Sequence, residues 1–110
     1  MSEKLTERKL VQAVRSLGGL CPKWISPGLN GVPDRIILLP GGIIGFVEVK
    51  AQGKKPRPIQ SLRLNQLLQL GFPVCVLDDP AEIPRLLDQL KQLKGGQPKG
   101  AWGAIGKPPR

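Results

Sequence analysis

Three charged residues near the middle of the chain, Asp34, Glu48 and Lys50, have the types and spacing to hold a hard cation and to work beside it. They stand in two β-type runs, Asp34 to Leu39 and Ile43 to Lys50, around Pro40-Gly41-Gly42, which is a hairpin signal. Two charged side chains at the end of an otherwise apolar strand are costly unless they are put to use. Glu48 and Lys50 are two apart, so on a strand they project from the same face. Register then decides where Asp34 falls. A three-residue loop sets Leu39 against Ile43 and Asp34 directly opposite Glu48; a two-residue loop would set Asp34 opposite Val49, on the other side of the sheet. In the first register the two carboxylates stand about 5 Å apart. They repel unless a cation is shared, and oxygen ligands beside an ammonium favour Mg²⁺ or Mn²⁺. The competing reading is an internal salt bridge, with Lys50 neutralising Glu48 or Asp34 and no metal at all.

Residues the chain lacks narrow the chemistry further. There is no His and no Tyr among the 110 residues, and only two Cys. That excludes Ser-His and Cys-His nucleophiles, tyrosyl intermediates and four-thiolate zinc. Lysine and arginine number 17 against eight acids, a net charge of +9, which points to a polyanionic partner. The distribution matters more than the total. No Asp or Glu occurs from Val49 to Leu77, while Lys54, Lys55, Arg57 and Arg63 follow directly on Lys50. A basic stripe beside an acidic notch can hold a phosphate backbone while a cation polarises one phosphate.

The elements that must position these groups follow from periodicity. Leu10, Val11, Val14 and Leu17 predict a helix from about Thr6 to Leu17, with Thr6 as N-cap and Glu7 in the first turn, where the helix dipole favours a carboxylate. Cys21 to Pro33 reads mostly as loop, with Trp24 and Ile25 as a short strand. The hairpin, apolar on both faces, should be internal to the fold. Leu62, Leu64, Leu67, Leu68 and Leu70 predict a second helix over Ile59 to Leu70, stopped by Gly71. Val74 to Leu77 is a short buried strand, and after Asp78-Asp79-Pro80 a last helix runs to about Leu93. Strand, helix, strand is a crossover that makes the last strand parallel to its predecessor.

Gly31-Val32-Pro33-Asp34 followed by Glu48-Val49-Lys50 resembles the PD-(D/E)XK nuclease signature. With Ser26-Pro27-Gly28, Ala51, Gln60 and Gly71-Phe72-Pro73-Val74 in order, the stretch from about Glu7 to Leu90 resembles the VRR-NUC (virus-type replication-repair nuclease) family. The resemblance implies an α/β fold, a PD-(D/E)XK (restriction-endonuclease-like) αβββαβ core with a central mixed sheet flanked by helices. It implies that Glu7 joins Asp34 and Glu48 at the metal, that the main-chain carbonyl of Val49 completes the ligand set, and that Lys50 orients or helps deprotonate the attacking water. Gln60 is the family's further motif position, expected to hydrogen-bond Lys50 or the phosphate; otherwise it is a helix-start surface amide. The implied activity is Mg²⁺- or Mn²⁺-dependent hydrolysis of DNA phosphodiesters, with no organic cofactor, by a homodimer resolving Holliday-type four-way junctions. The alternatives are a nonspecific or flap-directed nuclease and a non-catalytic DNA-binding accessory protein. In either case the expected DNA-binding residues are Lys54, Lys55, Arg57 and Arg63.

The expected nuclease domain covers 1–94. From Gly95 to Arg110 there are five Gly, three Pro, three basic residues and no acid, a composition expected of a flexible basic extension, with Trp102 and Ile105 as apolar anchors. Apolar runs such as Ile36 to Leu39 fall far short of the roughly 20 residues that a membrane span needs. No membrane partner is expected. The first residues lack the features of a signal peptide, so a cytoplasmic location with reduced Cys21 and Cys75 is expected, in a bacterial host and, by the resemblance, of phage or prophage origin.

Overall fold

An amphipathic helix opens the described part of the chain, residues 2–93 of a computed structural model. Helix α1 spans Glu3–Ser16 and is capped by Ser2, whose Oγ accepts the Leu5 N–H at 3.1 Å. The helix thus starts a turn earlier than the Thr6 cap read from the sequence. Ser2 is as good a cap as Thr6, and Thr6 extends the buried stripe of Leu10 and Val14 by one turn. Glu3, and not Glu7, is therefore the first-turn acid.

Strands β1 (Arg35–Leu39) and β2 (Ile43–Val49) pair antiparallel with Leu39 against Ile43 and Arg35 against Val47, the register of the three-residue loop. Gly41 and Gly42 close that loop at φ 89° and 76°, in the left-handed region that glycine enters at least cost. Helix α2 (Pro58–Gln69) then crosses to β3 (Val74–Leu77), which lies parallel to β2 with Glu48 beside Val76. A 3₁₀ turn over Pro80–Glu82 leads into helix α3 (Ile83–Lys91), so the single last helix expected after Pro80 is divided.

The sheet order is β1-β2-β3, which makes β2 central and the sheet mixed. The expectation that the whole hairpin is internal holds for β2 alone. The outer side of β1 is covered only by the segment before it, where Leu20 and Lys23 make isolated bridges to Leu38 and Arg35. The carbonyls of Leu20 and Pro22 accept the N–H groups of Leu38 and Ile36. These bridges stand where a first core strand was expected around Trp24, whose ring packs 5.1 Å from that of Phe46.

Strand alternation sorts the core into two layers. Val47, Val49, Ile37, Leu39, Cys75 and Leu77 face α1 and α3, packing on Leu10, Val14, Leu86 and Leu90. Phe46, Val74 and Val76 face α2 through Leu64 and Leu67. Cys21 and Cys75 are buried thiols with no disulfide between them, and burial pushes the Cys21 thiol up to about 11. Among the described residues no helix is long and apolar enough to cross a membrane. Trp102, Ile105 and the basic extension lie outside the described residues.

Candidate active site

The α2 face of β2 carries the charged residues because they occupy its even positions, after Phe46. Continuing the observed register one place beyond Arg35 and Val47 brings Asp34 opposite Glu48. Asp34 caps the end of the hairpin with its side chain, its Oδ2 accepting the Val49 N–H at 2.9 Å.

Glu48 is 1% exposed. One of its oxygens, Oε2, accepts from Gln60 Nε2 at 2.7 Å and pairs with Lys50 Nζ at 3.2 Å. The other, Oε1, is buried with no hydrogen-bond partner. Burial and, after it, the neighbouring Asp34 carboxylate push the Glu48 acid up to about 7, against the opposing pull of Lys50. Asp34 is raised as well, by burial first, with the Val49 N–H pulling the other way and the Glu7 and Glu3 charges adding to the rise. Both acids are therefore held where burial penalises the ionised form more than the Lys50 ammonium favours it. The internal salt bridge weighed from the sequence is present, but it occupies only one side of Glu48.

Gln60 sits at the third position of α2 and is 7% exposed, so it is no surface amide. Its Oε1 accepts the Arg57 N–H at 2.8 Å while its Nε2 holds Glu48. The amide is used at both ends, and its side-chain partner is Glu48, at the same oxygen that pairs with Lys50. Room for α2 to start here comes from Gly31, at φ 77°: a Cβ there would lie 2.6 Å from the Ile59 carbonyl oxygen.

Glu7 does not join the notch. Its Oε2 accepts from Arg35 Nε at 2.7 Å, and Arg35 Nη1 donates to the Cys21 carbonyl at 2.8 Å. Arg35 is an odd position of the hairpin, so it projects to the α1 side and meets the helix there. Among the described residues no three His, Cys, Asp or Glu side chains are gathered to hold a metal ion. The Asp34 and Glu48 carboxylates, neighbours at the hairpin end, are hard oxygen donors of the kind Mg²⁺ and Mn²⁺ take. A buried carboxylate oxygen without a partner and two acids pushed upward fit such an ion.

Of the basic residues, Lys54, Lys55 and Arg57 are exposed on the loop after β2. Arg63 is half-buried and engaged, Nε on the Asn30 carbonyl at 2.8 Å and Nη1 on Gln66 Oε1 at 2.6 Å. It braces α2 against the loop before β1 as much as it offers charge. Two contributors escaped the sequence reading. Asp78 is 8% exposed and its Oδ2 accepts the Gly53 N–H at 3.3 Å, which ties down the basic loop. Arg35 could have been found, because it adjoins Asp34 and must face the other way.

A mixed sheet between helices, with Asp34 across from a Glu48-x-Lys50 strand end, defines an α/β core of the PD-(D/E)XK kind. A solved structure described as a VRR_NUC domain superposes with a TM-score of 0.74 and 29% sequence identity, over 80% of this chain and 97% of that one. "Putative nuclease p44" of Acyrthosiphon pisum secondary endosymbiont phage 1 is 50% identical over 76 residues, 69% of this chain and 82% of that protein. No family model matches the chain. By these similarities the chain belongs to the VRR-NUC family.

Proposed function

We propose that the chain is a nuclease that hydrolyses DNA phosphodiester bonds with Mg²⁺ or Mn²⁺ at Asp34, Glu48 and the Val49 carbonyl, and that it cuts four-way junctions as a homodimer. The observation that carries the reading is the buried Glu48 carboxylate, fastened through one oxygen by Lys50 and Gln60 and left open at the other. Family membership supports the nuclease reading.

These oxygens would hold a divalent cation, which when bound would supply Lewis-acid stabilisation of the charge that develops on the phosphate. The chain's own groups do the rest. Gln60 fixes the rotamer of Glu48. Lys50 Nζ, partly open to solvent beside Glu48, orients the attacking water and offsets charge on the phosphate. Glu7, whose charge reaches Asp34 while its Oε2 accepts from Arg35, would be a third acid at the site. Lys54, Lys55 and Arg57, with a lesser share from Arg63, hold the DNA backbone. The junction preference and the two-fold assembly rest on the resemblance, since paired sites in two-fold relation suit symmetric cuts.

The test compares a four-way junction, a flap and a linear duplex with Mg²⁺, with Mn²⁺ and with a chelator, alongside the mass of the protein in solution. Cleavage that needs the metal, favours the junction and comes from a dimer is expected. Binding without cleavage in either metal overturns the enzyme reading; equal rates on all three DNAs overturn the junction preference, and a monomer overturns the assembly.

A further inference from the structure

On the α1 side of the sheet, away from the Lys54–Lys55 loop, lies an open notch of about 370 Å³ lined by Lys4, Glu7, Arg8, Val11, Lys23 and Arg35. Four of these six residues are cationic. The single acid is consumed within the notch, because Glu7 is bound to Arg35 Nε. Arg35 is fixed a second time by the Cys21 carbonyl, so the floor of the notch is rigid. Lys4, Arg8 and Lys23 are exposed and form no ion pair among the described residues. Lys4 and Arg8 are one helical turn apart on α1, while Lys23 comes from the segment bridged to Arg35. Three free cations from two separate elements thus converge over an anchored guanidinium.

The notch adjoins the site through the chain itself. Arg35 follows Asp34, and the two side chains leave the hairpin end on opposite sides. One basic surface, Lys54 to Arg57, therefore lies on the α2 side of the acidic notch and the other on the α1 side. We infer that Lys4, Arg8 and Lys23 form a second DNA-backbone site, which takes the phosphates of the strand leaving the active site on the α1 side. This inference rests on the nuclease reading and extends its footprint across the end of the sheet. A DNA bound by the post-β2 loop alone would touch one side of the cleavage site; with both surfaces engaged it is held on either side of the scissile phosphate.

The experiment uses the full chain and a fluorescently labelled four-way junction in chelator, with binding measured across a range of salt concentrations. K4A/R8A/K23A is expected to weaken binding about tenfold or more and to lower the salt slope by about two to three units, near one for each phosphate that is no longer neutralised. R15A/R85A/K91A removes three exposed cations elsewhere and is expected to keep the wild-type slope. K4R/R8K/K23R, which preserves the charges, is expected to bind as wild type. If wild type binds and cuts DNA while K4A/R8A/K23A matches it, or if both alanine triples lose the same slope, the second site is overturned and the nuclease reading stands. Wild type that neither binds nor cuts any DNA overturns both.

Discussion

The two faces of β2 are one residue apart in sequence and opposite in chemistry. Toward α1 and α3 the strand presents Val47 and Val49, at 0% and 1% exposure, to the apolar layer of Leu10, Val14, Leu86 and Leu90. Toward α2 it presents Phe46, then Glu48 and Lys50, so an apolar layer becomes an ionic one at the strand's end. Period two lets a single strand be both keel and active-site wall. Burial on the first face stabilises the fold, whereas burial on the second raises the free energy of an ionised acid, a cost that the cation of the proposed function would offset.

The largest expected effect separates the faces by activity. Glu48→Gln should lower DNA cleavage by about three orders of magnitude or more, because it removes a charged oxygen ligand, while thermal melting stays within a few degrees of wild type. Cleavage that survives would mean that the two faces do not differ in function. Next comes stability. Leu10→Ala, fully buried on the α1 face, should cost about 3 kcal/mol in urea unfolding, and folded Leu10→Ala should retain its metal-dependent cleavage. A cost near zero would show that this layer is not the keel.

The smallest effect is the pH response with chelator present. Glu48 in the unfolded chain titrates near its ordinary 4.5, and in the fold near 7. Between those values the folded protein keeps a proton that the unfolded chain releases, so stability must fall as pH rises through that window and level off above it. Asp34, the carboxylate facing Glu48, is shifted the same way, and Lys50 is the facing cation. Glu48→Gln should remove most of the slope; an unchanged slope would place the titrating group elsewhere.

Much of this was legible because it is local. Pro40-Gly41-Gly42 fixed the hairpin register, and the register put Asp34 across from Glu48. The β3 strand fell on Val74–Leu77, as the apolar run between Pro73 and Asp78 required. What could not be read was the choice among long-range partners. Periodicity places Glu7 on α1 but does not say that Arg35 will meet it, since that depends on how the helix lies across the sheet. Gln60 was found by its motif position, yet its pairing with Glu48 depends on the depth at which α2 packs. The N-terminus of α1 was missed because two adequate caps lie within one turn of each other.

The Gln60 amide joins two events usually treated apart. Its oxygen holds the Arg57 N–H at the opening turn of α2, while its nitrogen clamps the Glu48 carboxylate. Helix ends fray before helices melt, and here fraying would unlatch the acid. Warming should therefore idle this protein before it denatures it, and a loosened first turn would act as a thermostat on turnover.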